Sequence, residues 1–130
     1  MVVPRLFQDI FDNKDYRRVL FTGEYSQLAI MSLPPNEELQ VDLRSVDKIV
    51  LVFKGQATVA IQGGEEEDRV EIREGGMIGI EARTKHQVFN SGSEDLKLAV
   101  IYSPSQFLSD TVHGTRERAV LDPYANPEEE

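Results

Sequence analysis

Apolar positions along this chain come in short runs or strict alternations, each closed by turn residues. Val19-Leu20-Phe21 stops at Thr22-Gly23, Leu28 to Leu33 at Pro34-Pro35-Asn36, and the nearly continuous Lys48 to Phe53 at Lys54-Gly55. Leu39, Val41 and Leu43 alternate with polar residues, as do Ala57, Val59 and Ile61 up to Gly63-Gly64. Val70 to Ile72, Met77 to Ile80, His86 to Phe89 and Leu96 to Tyr102 complete the series. Alternation marks a strand with one buried face, and an unbroken short apolar run marks a strand buried on both. About nine such runs at roughly 8–12-residue spacing predict an all-β sandwich or barrel.

The expected organisation is a short N-terminal arm or helix over residues 1–15, one barrel domain over 16–116, and an acidic C-terminal tail over 117–130. On the second strand Gln27, Ala29, Met31 and Leu33 share a face, so Gln27 is expected inside, near one end. Met31 and Met77 read as core filler.

Composition narrows the function classes. With 14 basic against 23 acidic residues the formal charge is −9, and no basic stripe offsets it, which argues against nucleic-acid binding. The runs Glu65 to Asp68 and Glu128 to Glu130 read as solvated loop and tail. No stretch approaches the roughly 18 apolar residues of a membrane helix. No secretory signal is visible and cysteine is absent, so the expected location is cytoplasmic. Only two histidines, His86 and His113, are available to a transition-metal site, which is a poor start for a metalloenzyme.

The order of residues from Tyr16 to Arg116 resembles the small single-domain cupins, nearest a bacterial group often labelled mannose-6-phosphate isomerase-like. The resemblance is carried by Asp15 to Gly23, Ser26-Gln27-Leu28, a first motif from Pro35 to Gly55, a second from Gly75 to Asn90, and a closing segment with Tyr102-Ser103-Pro104 and Thr111 to Thr115. It implies a jelly-roll barrel, usually dimeric, with a ligand pocket at one interior end. In that family two histidines and a carboxylate or amide of the first motif, with a histidine of the second, hold a divalent metal. Those first-motif positions fall here on Val41, Leu43 and Lys48, while the second-motif histidine is kept as His86, four residues before Asn90. A closing-segment histidine is replaced by Phe107, and Glu81 and Arg83 stand where a proline and a glycine are usual.

Valine and leucine offer no lone pair and an ammonium repels a cation, so no metal is expected and no cofactor is predicted. Asp42 and Asp47 are the nearest substitutes, although alternation turns Asp42 away from the face of Val41 and Leu43. The candidate ligand-binding residues are Lys48, His86 and Gln27. Lys48 reads either as a lysine reaching out of the barrel mouth or as a cation for a small anionic molecule. His86 reads either as a hydrogen-bonded core histidine or as a base. Arg83 is expected in solvent and His113 at the surface or in a dimer contact.

Two functions follow as expectations. One is a metal-independent homodimer that binds a small molecule or is purely structural. The other is a sugar or small-acid isomerase or epimerase with His86 as base, Lys48 as anion holder and a tyrosine acid such as Tyr25 or Tyr102. A zinc-dependent phosphomannose isomerase is disfavoured by the missing ligands. A dimer is further suggested by Val19 to Phe21 and by Leu6, Phe7, Ile10 and Phe11, apolar residues near the terminus that a monomer would leave exposed.

Overall fold

A computed structural model describes residues 1–39, 45–63 and 66–122. Among them are strands β1 (Arg17–Thr22), β2 (Gln27–Leu33), β3 (Asp47–Lys54), β4 (Gln56–Gly63), β5 (Glu66–Arg73), β6 (Met77–Ile80), β7 (His86–Asn90), β8 (Leu96–Ser103) and β9 (Val112–His113), with helices α1 (Leu6–Asp12) and α2 (Arg116–Leu121). The strands form a six-stranded antiparallel sheet in the order β6-β3-β8-β2-β1-β9 and a three-stranded sheet in the order β5-β4-β7. This is the all-β architecture that the turn spacing predicts, in the jelly-roll arrangement that the resemblance implies. Strand order departs from chain order because each sheet gathers the strands whose inner faces must meet across one core.

That core is built from the alternating positions. Ala29, Met31 and Leu33 of β2 and Leu96, Leu98 and Val100 of β8 are fully buried. They face Ala57, Val59 and Val88 of the smaller sheet in one apolar cluster. At Gly55, between β3 and β4, φ is +90° and an added Cβ would lie 3.1 Å from the Asp95 carbonyl oxygen. Glycine there meets both the left-handed turn and the close approach of the next strand.

Three expectations need correction. The acidic run is not a loop: Glu66, Glu67 and Asp68 belong to β5 and pair with Gly63, Gln62 and Ile61. β5 is a sheet edge, and its exposed Asp68, Arg69, Glu71 and Arg73 discourage further pairing there. Met77 is no core filler; it lies on β6, an edge of the larger sheet, and is 52% exposed. The stretch read as tail begins with helix, since α2 carries the fully buried Ala119 into the main core. Thr115 caps α2 by accepting from the Arg118 N–H. Residues 123–130 lie outside the described residues.

α1 lies on the outer face of the larger sheet, where Ile10 packs against Ile30 and Ala99. Lys97 ties it down from below, donating to the Asn13 carbonyl at 2.6 Å and to Ser32 Oγ at 2.8 Å. Burial, reinforced by Lys54 and Lys14 and opposed by Asp95 and Asp12, lowers the Lys97 pKa from the usual lysine range. The unfolded chain therefore holds more protons than the folded one between that lowered value and about 10.4, and stability climbs with pH across this window. Lys97→Met is expected to lose about 1.5–3 kcal/mol at neutral pH and to flatten that climb, both readable by urea unfolding at a series of pH values.

Candidate functional site

One cross-strand row organises the interior at the barrel's mouth. Lys48 follows Asp47 at the start of β3 and pairs with Tyr102 of β8, which pairs with Gln27 of β2. Residues directly opposite on adjacent strands share a face, and this row faces inward. Lys48, Tyr102 and Gln27 are 5%, 1% and 0% exposed. Lys48 therefore does not reach out of the barrel. Across the core, His86 begins β7 beside Ile61 of β4 and is also buried.

The row and the histidine meet. Lys48 Nζ lies 3.2 Å from His86 Nε2 and 5.7 Å from the centre of the Tyr102 ring. His86 Nδ1 lies 2.8 Å from the Thr84 carbonyl oxygen. A carbonyl only accepts, so Nδ1 carries the proton and donates it there. A neutral His86 then presents its single lone pair, on Nε2, to the lysine. The Thr84 carbonyl thus fixes the tautomer, and Lys48 engages the one atom of this ring able to coordinate or to act as a base.

The mouth above this pair is lined by Val46, Ile80, Glu81, Arg83 and Thr84. Its free volume is about 10 Å³, close to the room one water molecule requires. Arg83 sits in the turn before His86 with φ at +64°, a left-handed conformation that explains why glycine is usual at this place. As expected it is exposed, and its guanidinium donates to Ser45 Oγ at 3.3 Å. Asp47 is exposed and accepts from the Ala82 N–H at 2.9 Å. Val41, Asp42 and Leu43 lie outside the described residues. Among the described residues no three His, Cys, Asp or Glu side chains form a group able to hold a metal ion.

Gln27 shares the row of Lys48 but its amide is turned to the closing segment. Its Nε2 donates to the Phe107 carbonyl at 2.9 Å and to Thr22 Oγ1 at 2.8 Å, while its Oε1 accepts from the N–H groups of Gln106 and Phe107. Asn90 works in the same way at the end of β7, donating to the carbonyls of Leu33 and Glu94 and accepting from the Gly92 N–H. Of the tyrosines considered as acids, Tyr102 lies beside Lys48, whereas Tyr25 is 76% exposed.

His113 is a second correction at this level, because it is buried rather than at the surface. Arg17 donates to its Nδ1 at 3.2 Å, and its Nε2–H donates to Asp122 Oδ2 at 2.8 Å. The Arg17 guanidinium stacks 4.2 Å from the centre of the Phe107 ring. Nothing in the local sequence announces this cluster, since Arg17 and His113 are 96 positions apart and meet only through the pairing of β1 with β9.

No described helix is long and apolar enough to cross a membrane. The cupin domain model matches residues 29–102, more than half of the chain. Two curated relatives carry no stated activity. The uncharacterized protein L612 of Acanthamoeba polyphaga mimivirus is 37% identical over 79% of this chain, and the uncharacterized protein YrkC of Bacillus subtilis is 31% identical over 83%. This chain spans 65% and 60% of their respective lengths. Among solved structures, BH2720 from Bacillus halodurans is 30% identical, superposes with a TM-score of 0.88 and is covered to 94%, as is this chain. A cupin described as RmlC-like from Methanocaldococcus jannaschii, 20% identical with a TM-score of 0.63 over 72% of this chain and 84% of its own, shares the double-stranded β-helix fold. Two facing antiparallel sheets in jelly-roll order, with the family's sequence signature running from β2 to the end of β8, make this chain a member of the cupin family.

Proposed function

We propose that this protein is a metal-independent cupin that binds a small monoanionic molecule at the barrel mouth and works as a homodimer. The observation that carries this reading is the 3.2 Å contact of Lys48 Nζ with His86 Nε2. A divalent ion needs that lone pair, and here a cationic side chain is already directed at it, while Val41 and Leu43 supply no donor atoms. The positive charge a metal would bring is replaced by a fixed ammonium, with Arg83 lining the same mouth.

His86 as the base of a sugar isomerase is the weaker reading. Its nitrogen and that of Lys48 touch each other instead of flanking a substrate. For the dimer, the support is an apolar row on the outer face of the larger sheet. Phe21, Leu28, Ile101 and Ile49 pair in sequence across β1, β2, β8 and β3, and all four are partly or well exposed beside the area α1 covers.

Purified protein exposed to zinc, nickel or manganese and then desalted is expected to hold far less than one metal per chain by elemental analysis, and to sediment as a dimer. Glycolate is expected to raise the thermal midpoint saturably, and Lys48→Met to abolish the rise. Stoichiometric metal lost on replacing His86, or a midpoint indifferent to glycolate, would overturn the reading.

A further inference from the structure

The Lys48–His86 contact is also the arrangement of an activated amine. We infer that Lys48 is a nucleophile that forms an imine with a small carbonyl compound bearing one carboxylate, with His86 moving the protons; this rests on the anion-binding reading above. Three features of the pair support it. Lys48 Nζ is within proton-transfer distance of an imidazole nitrogen whose lone pair faces it, because Thr84 holds the other ring proton. Passing the proton from Nζ to Nε2 leaves the charge of the pair unchanged, so the buried site need not lose a cation to expose the amine lone pair. Finally, the cleft beside the pair has room for about one water among the described residues, a place that the carbonyl oxygen of a substrate seated at the rim can take.

The substrate class follows from the rim. Arg83 lines the cleft and suits one carboxylate, whereas Glu81 on the same rim opposes a second. In the reaction the Nζ lone pair attacks the carbonyl carbon as the C=O π bond opens, and the oxygen takes the proton held on His86 Nε2. His86 then removes a proton from the new ammonium and returns it to the hydroxyl. Water leaves as the C=N bond forms. The sum is one lysine ammonium plus one carbonyl giving one protonated imine plus one water, with no oxidant or reductant.

Glyoxylate, the smallest member of the class, is the probe, trapped with cyanoborohydride and located by peptide mass mapping. The chain's own exposed lysines, Lys14, Lys54 and Lys85, are internal controls in the same sample. The expected result is a carboxymethyl group on Lys48 at low glyoxylate, before the exposed lysines react, with a rate about 100-fold lower in His86→Gln. Labelling of Lys48 no faster than that of Lys54 and Lys85 in the wild-type protein overturns the inference whether or not the variant folds. If glycolate stabilises the protein through Lys48 but glyoxylate leaves no trapped adduct there, the nucleophile is refuted and anion binding stands. If neither compound acts at Lys48, both fail.

Discussion

Gln27→Ala is expected to lose about 4 kcal/mol of stability, near the upper end of what single substitutions do. The amide of Gln27 satisfies the N–H groups of Gln106 and Phe107 and the Phe107 carbonyl from a fully buried position. Removing it leaves those backbone groups unpaired at about 1–3 kcal/mol for each that stays buried, and opens a cavity beside Tyr102. Against a total of about 5–15 kcal/mol, a large part of the folding free energy is at stake. Gln27→Leu separates the two contributions, because it keeps the volume and loses only the hydrogen bonds. Urea unfolding of both variants gives the answer, and a loss below about 1 kcal/mol for the alanine would mean that water satisfies the closing segment instead.

The second large effect belongs to the pair at the mouth. His86→Phe should cost about 3 kcal/mol, since a buried lysine loses an acceptor, and Lys48→Met about 1–2 kcal/mol, since a buried imidazole nitrogen loses its donor. The double variant should be more stable than the sum of the two by about 1–2 kcal/mol, because removing both partners leaves neither group stranded by the other. Energies that add within about 0.5 kcal/mol would show that the two side chains are not coupled in solution. The cycle tests the contact on which the functional reading stands without requiring any ligand.

How far the sequence reached is clearest at particular residues. The inward face of Gln27, Ala29, Met31 and Leu33 was legible because period-two alternation leaves one set of side chains to the core, and all four are fully buried. What Gln27 does there was not legible. Its backbone partners, Gln106 and Phe107, lie about eighty positions away, in a closing segment whose path no local pattern predicts. The same holds for His113, whose polar neighbourhood reads as surface until β9 pairs with β1 and brings it to Arg17. Met77 and the acidic run of β5 were misjudged for a related reason. Hydrophobicity and charge along a strand do not reveal whether that strand is central or at an edge, and edges tolerate what centres exclude.

The sequence by itself determined the family, the all-β class and the strand spacing, and it places Val41, Leu43 and Lys48 where the resemblance implies metal ligands. These are properties of residue identity and periodicity, which the linear order carries. Only the tertiary structure decided that Lys48 turns inward, that it meets His86 across two sheets at 3.2 Å, and that Thr84 sets the tautomer of the ring. A side chain's protonation partner is fixed by distance in space, and β3 and β7 come within hydrogen-bond reach only when the two sheets close over their common core.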